Sequence, residues 1–442
     1  MTDIPDISPE QKHTRFLWTR YIMFGIGFWL LVTPATFAQH SFPISVNDVV
    51  CGLLVMILSL IALSFKQKWA PWTLTVIGIW LQLAPLIFWA PNGVAYLNDT
   101  GCGAMLILLA LVIPGTPGGI ELKGAEIPHG WTYNPSSWNQ RLPIILLAFL
   151  AWMSARYMAA YQLGYIDSIW DPIFDNGTRN VVTSNLSKSF PISDAGLGAF
   201  VYTMEVLMGF KGSSRRWYTM PWIVLLFCIM VVPAGFVSIL LIMLQPLIVG
   251  SWCTWCLLTA VCMLIMIALT LDEMVAVCQY LTQVKKSRGP LWKIFWKGGI
   301  YTEGQLDVRS PPLNAQWRKN IGAMLWGMTF PWNLLVSVIL GGLLMFTPSF
   351  LQNIPHQIAD NDHIVGAIVA TLSFVAMAEV FRVVRFLNII LAIWTICFTL
   401  FFAHKMDTQF IFHIFWGVLL IVVSIPKGPV RERYGSWNKL IR

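Results

Sequence analysis

The chain has 442 residues, of which 57% are hydrophobic and 11% charged, with 22 tryptophans and a mean hydropathy of +0.66. Soluble domains run near about 25% charged, so a soluble globular protein is excluded and an all-α polytopic membrane protein is implied. The net charge of +8 does not indicate nucleic acid, because the basic residues cluster between apolar runs in the positive-inside pattern.

Residues 1–14 are polar and lack the apolar core and small-residue site of a cleavable signal. About twenty apolar residues cross a bilayer. Twelve spans are predicted, near 16–37, 47–65, 71–89, 99–113, 142–163, 193–210, 219–244, 252–281, 321–346, 362–381, 386–403 and 410–425. With the N-terminus inside, inner segments hold 25 of the 29 Lys and Arg. The outer segments hold Arg179, Lys188 and Lys405, and Arg156 lies within a span. This asymmetry predicts a multi-pass protein with cytoplasmic termini.

The first bundle, 1–117, contains a repeat. Gly27, Trp29, Pro34, Asn47, Asp48, Cys51 and Gly52 recur as Gly78, Trp80, Pro85, Asn98, Asp99, Cys102 and Gly103, every offset being 51. Each unit reads as a helical hairpin whose Pro ends the outgoing helix and whose Asn-Asp caps the returning one. Cys51 and Cys102 would then start equivalent inward helices, and twofold packing would bring them within disulfide reach. A third copy, at 319–442, keeps Gly341, Pro348, Asn361, Asp362 and Gly366, and a degenerate fourth runs from Trp394 to Pro426. Tyr434-Gly435-Ser436-Trp437-Asn438 echoes Tyr133-Asn134-Pro135-Ser136-Ser137-Trp138-Asn139.

Cytoplasmic linkers are expected at 118–140 and 286–318, the first reading as Gly118 to Arg141 in its longest extent. The second carries Pro290-Leu291-Trp292-Lys293-Ile294-Phe295-Trp296-Lys297, basic and aromatic, as suits the inner leaflet.

The central bundle, 141–285, holds Gly250-Ser251-Trp252-Cys253-Thr254-Trp255-Cys256-Leu257-Leu258. Ser251 is the expected helix cap. Both sulfurs then sit in the first turns, where free N–H groups and the helix dipole favour thiolate. Two cysteines one turn apart close a disulfide, and the topology puts them on the oxidising side. Two other readings stand beside this one. The pair is two small apolar residues at a helix start, or soft thiolates join His40, His356, His363, His404 or His413 on a metal. None of these histidines has ligand spacing to another, so no metal site is assigned. The other cysteines, Cys51, Cys102, Cys228, Cys262, Cys278 and Cys397, sit in or at apolar runs.

Glu205 lies about 18 Å below Ser193, at mid-membrane, where it must be neutral or paired; a proton path and an interhelical hydrogen bond both fit. Asp272 and Glu273 reach the inner interface, about 30 Å past Trp252, and read as structural. Glu379 precedes Arg382 by three residues, which suggests a helix-surface pair. Arg156, in the outer half of its span, either snorkels outward or lowers a cysteine pKa across the bundle.

Residues 141–285 resemble the vitamin K epoxide reductase family. The order matches: a span, an outer loop, then three spans with CxxC opening the last. Matching stretches are Asn180-Val181-Val182-Thr183-Ser184-Asn185-Leu186-Ser187, Phe190-Pro191-Ile192-Ser193-Asp194-Ala195-Gly196-Leu197-Gly198 and Tyr202. The flanking hairpins look like SPW repeats, and Tyr133–Arg141, Trp170-Asp171-Pro172 and Thr219-Met220-Pro221-Trp222 look like bacterial proteins carrying both modules. The resemblance implies a thiol oxidoreductase that exchanges electrons with a quinone of ubiquinone or menaquinone type. Cys256 would face the quinone and attack it, and Cys253 would resolve the pair and exchange with an outer dithiol. Ser184, Asn185, Trp255 and Arg156 form the expected quinone-binding set. Two departures are plain: residues 164–192 contain no cysteine, and the position four past Cys256 is Ala260. The outer dithiol is therefore expected on a separate thioredoxin-like or dithiol protein. The competing expectation is a non-catalytic membrane scaffold, transport or assembly subunit that reuses the fold.

Overall fold

A computed structural model describes residues 9–37, 41–113, 124–347, 351, 354–402 and 408–441. His40, Gly118, Lys123, Pro348, His404, Lys405 and Arg442 fall outside these residues. The protein is all-α and polytopic. Each of the twelve predicted spans contains a helix, and among the described residues eight helices are long and apolar enough to cross a membrane.

The first bundle holds α1 (Leu17–Thr36), α2 (Phe42–Ile61), α3 (Ala70–Ile87) and α4 (Gly93–Ile107), which runs on to Val112. The repeated glycines mark where each hairpin crosses. A Cβ on Gly27 would meet the Gly52 carbonyl oxygen at 2.8 Å, and one on Gly78 would meet that of Gly103 at 2.8 Å. Small residues let helix backbones approach this closely. Pro34 and Pro85 do not end helices; they lie inside α1 and α3. Asn47-Asp48 and Asn98-Asp99 also lie within helices rather than capping them. Asn92 is the cap of α4, accepting from the Ala95 N–H at 2.9 Å. The Asn-Asp pairs instead join the hairpins. Trp29 Nε1 donates to Asn98 at 2.7 Å, Trp80 Nε1 donates to Asn47 at 2.8 Å, and the Asp48 and Asp99 carboxyls meet between them. The twofold packing expected from the offset is present, but Cys51 and Cys102 are free thiols.

The central bundle holds α5 (Trp138–Gln162), a short outer-loop helix α6 (Gly177–Val182), α7 (Asp194–Phe210), α8 (Pro221–Leu244) and α9 (Thr254–Lys286). Between bundles runs α10 (Leu291–Lys297), whose Trp292 and Trp296 are exposed. The last bundle holds α11 (Trp317–Met324), α12 (Trp332–Met345), α13 (His356–Val375), α14 (Leu387–Phe402) and α15 (Thr408–Ser424). The span predicted at 321–346 is broken at residues 325–331. Gly327 has φ +86°, and a side chain on it would run into the Asp272 carboxylate. A Cβ on Gly341 would meet the Gly366 carbonyl oxygen at 2.7 Å, so the third hairpin crosses like the first two. Trp394 Nε1 donates to Asn361 at 2.9 Å, and His413 Nε2 lies 2.6 Å from Asp362, where the first bundle has its second aspartate.

The stretches expected as linkers are joined to one another at the end of the bundles away from the CxxC. Ile127 pairs with Gln305, and Trp131 with Tyr434. Arg309 forms an ion pair with Glu432 at 2.6 Å, and Arg216 a buried one with Glu273 at 2.5 Å. Tyr133 donates to Asp272. Glu379 and Arg382 are not a surface pair: both are fully buried. Glu379 accepts from the Arg431 and Glu432 N–H groups at 2.8 and 3.0 Å and from the Tyr434 hydroxyl at 2.9 Å. Carboxylates held this way tie the tail to the bundles.

Candidate functional site

The outer end of α8 relaxes into a wide turn, Gln245–Val249, and the chain reverses at Gly250 with φ +68°. An extended step brings it to Cys253, and α9 begins at Thr254. Ser251 is not the cap. Cys253 takes that place: its Sγ accepts from the Cys256 N–H at 3.1 Å, and the Ser251 hydroxyl accepts from Asn180 at 3.1 Å. Cys253 and Cys256 form a disulfide with Cα atoms 5.3 Å apart, which holds the sulfur against the first turn. The Cys253 N–H donates to Gln245 Oε1 at 3.1 Å.

The two sulfurs have different surroundings. Met158 Sδ lies 3.5 Å from Cys256 Sγ and 3.8 Å from Cys253 Sγ. Cys253 is fully buried and packs with Met158, Val181 and Val182 under α6. Cys256 is half-buried and lines a cavity of 120 Å³ enclosed by α5, α7, α8, α9 and the outer loop. Ala155, Leu186, Leu241 and Ile242 supply apolar wall, and Ser184, Tyr202, Ser238, Gln245 and Thr259 supply polar groups. The Tyr202 hydroxyl is in hydrogen-bond contact with Ser238 and Thr259. One turn deeper, Glu205 is fully buried, and neither carboxyl oxygen has a hydrogen-bond partner among the described residues.

The loop over the disulfide is pinned by Asp171. Its carboxylate accepts from the Ile173 and Phe174 N–H groups at 3.0 and 2.9 Å, from the Thr178 N–H at 2.8 Å and hydroxyl at 2.5 Å, and from the Thr254 hydroxyl. Burial opposes the charge, but these donors outweigh it and hold the carboxyl well below the usual carboxylate range. Gln162 anchors the loop's other end, donating to Val182 O at 3.0 Å and Ser187 Oγ at 2.6 Å.

The structure therefore brings Ser184 and Cys256 together at the cavity, with Cys253 behind them. Asn185 is exposed and outside the lining. Trp255 clamps the loop: its Nε1 donates to Trp170 O at 2.8 Å, and its ring meets Tyr157 edge-on at 5.5 Å. Arg156 lies apart, against Thr100 of the first bundle, with no contact to the disulfide. Sequence reasoning missed Asp171, Met158 and Gln245. Signals existed for Asp171, within the matching stretch Trp170-Asp171-Pro172, and for Gln245, as a polar residue in an apolar run. Among the described residues no group of three metal-ligating side chains gathers. His356 faces Asp360, His363 faces Met345 O, and His413 pairs with Asp362.

Residues 142–271 match the vitamin K epoxide reductase family, and residues 17–113 match the SPW repeat domain. The last bundle lies outside both matches, and its likeness to the first rests on the shared glycine crossing. No curated protein and no solved structure matches the chain.

Proposed function

We propose that this chain, carrying a vitamin K epoxide reductase family region beside an SPW repeat domain, is a membrane thiol oxidoreductase that passes electrons between a quinone and outer-face dithiols through Cys253 and Cys256. The observation that carries this reading is a closed disulfide with one cysteine on a ring-sized cavity. An engineered cavity of about 150 Å³ holds benzene, so 120 Å³ suits one ring with its tail outside. Apolar walls and the hydroxyls of Tyr202, Ser238 and Thr259 fit a ring bearing two oxygens.

A partner dithiol attacks the disulfide and bonds to Cys253, displacing Cys256 as thiolate. The partner's second thiol frees Cys253 and leaves as a disulfide, so two electrons and two protons rest on the pair. A quinone of ubiquinone or menaquinone type, when bound, supplies a two-electron, two-proton acceptor. Cys256 faces that acceptor across the cavity wall. Cys253 then re-forms the S–S bond, and the two protons released by the pair balance the two taken up. Residues 164–192 hold no cysteine, so the dithiol belongs to a separate outer-face protein, thioredoxin-like or similar. The resemblance to bacterial proteins carrying both modules suggests a bacterial inner membrane, and the charge asymmetry supports cytoplasmic termini.

The competing reading, a non-catalytic scaffold, draws on the full burial of Cys253. One measurement separates the two. Reduced protein in lipid nanodiscs is mixed with short-chain ubiquinone or menaquinone, and thiols and quinol are counted. The wild type should yield one quinol per disulfide formed. Cys256→Ala should yield none, and Cys253→Ala should keep a thiol that a membrane-permeant maleimide labels. Thiols that stay reduced before both quinones leave the scaffold reading in place.

A further inference from the structure

Arg156 was expected beside the disulfide and is found at the seam between two bundles. It lies six residues before Gln162, about 9 Å below the outer end of α5. Its guanidinium donates to Thr100 Oγ1 on α4 at 2.9 Å. It lies 4.3 Å over the Tyr96 ring and 5.4 Å from that of Trp152. It enters no ion pair among the described residues. The side chain lines a groove of 290 Å³ that runs down between α4, α5 and α7. Below the arginine the walls are apolar, including Ala104, Phe149, Val206 and Leu207. Leu97 and Phe149 are exposed on the same face, so the groove opens sideways onto the lipid-facing surface.

A charge at this depth is costly unless something compensates it. Arginine's planar fork matches phosphate oxygens in pairs, and here Thr100 and the aromatic rings fix its orientation in advance. Apolar trough below, cation above and a side opening together describe the shape of a phospholipid. We propose that this groove binds an anionic phospholipid of the outer leaflet, with its phosphodiester on Arg156 and one acyl chain along Ala104 and Leu207. The lipid would then bridge the SPW repeat domain and the thiol bundle. This site is independent of the redox reading.

Full-length protein, purified in mild detergent, is examined by native mass spectrometry and thermal denaturation with added phosphatidylglycerol, phosphatidylcholine or short-chain ubiquinone. The wild type should hold phosphatidylglycerol in preference to phosphatidylcholine and melt higher with it. Arg156→Gln should weaken that binding by about tenfold or more, as loss of a charge-assisted pair does. Arg156→Lys should recover part of it. Ala104→Phe fills the trough while leaving the charge, and should abolish the lipid-dependent rise in melting. It also carries the test if Arg156→Gln fails to fold. Equal phosphatidylglycerol binding by wild type and Ala104→Phe overturns the proposal. So does displacement of the lipid by ubiquinone, which would make the groove a quinone site.

Discussion

Asp171 holds the loop that covers the Cys253–Cys256 disulfide without touching either cysteine. It collects donors from its own loop and from Thr254, the residue between the two cysteines. Replacing it with Asn removes the charge from a buried set of donors, at a cost of about 1–3 kcal/mol. Asp171→Asn should therefore loosen the loop and speed reduction of Cys253–Cys256 by an external dithiol. Unchanged reduction kinetics, measured by mass-tagging of free thiols, would remove Asp171 from this role. The pH dependence has a definite sign. The folded-state pKa is depressed, so the stabilisation is fully present above the unfolded value of about 3.9 and is lost only as pH falls through the lower folded value. Amide exchange in residues 171–183 should stay protected at pH 5 and open only in stronger acid. At this scale the cysteine pair was legible from its spacing. The contacts of Asp171 with Thr254 and of Met158 with the cysteines were not, because they join residues distant in the chain; Gln245 reaches Cys253 only eight residues on. Ser251 looked like the cap by residue type, but the disulfide sulfur occupies that position first.

Between elements, the 51-residue offset carried real information and was misread in one respect. It identified equivalent positions, and the hairpins do pack by exchange of equivalent contacts, Trp29 to Asn98 and Trp80 to Asn47. It could not say which residue would sit where the hairpins meet. The aspartates took that place, and the cysteines one turn on remained free. The glycines were legible as a pattern, and their cause is helix crossing. Gly27→Leu or Gly78→Leu should cost about 1–3 kcal/mol or more by overpacking and lower the melting temperature. Gly25 and Gly101 have no atom within 4 Å of a built Cβ, so Gly25→Leu and Gly101→Leu should be tolerated. Equal loss in all four variants would mean that close helix crossing does not explain these glycines, since helix propensity alone favours Leu over Gly. The break in the span at 321–346 was hidden for a related reason. Apolarity runs through it, yet Gly327 turns to positive φ beside Asp272 and Pro331 precedes the next helix.

For the whole molecule, the charge count yields an expected topology, and the structure adds a layer where the linkers and tail interlock. Read as sequence, those stretches were polar and irregular, and several of their pairings, such as Ile127 with Gln305 and Trp131 with Tyr434, join residues more than a hundred positions apart. The topology is open to a direct check. After mild reduction of intact cells, a membrane-impermeant thiol reagent applied outside should label the Cys253–Cys256 pair. Labelling from the cytoplasmic side alone would invert the arrangement. The covered position of Cys253 has one more consequence. Cys253 is fully buried and Cys256 is half-buried on the cavity, so on the proposed reading the pair behaves like a switch that rests open. Electrons would then pass fastest while a docked protein holds the cover aside, and free thiols would reach Cys253 more slowly. Fidelity would then come from insulation rather than from a tuned potential, and the molecule could share its compartment with stronger oxidants without leaking electrons to them.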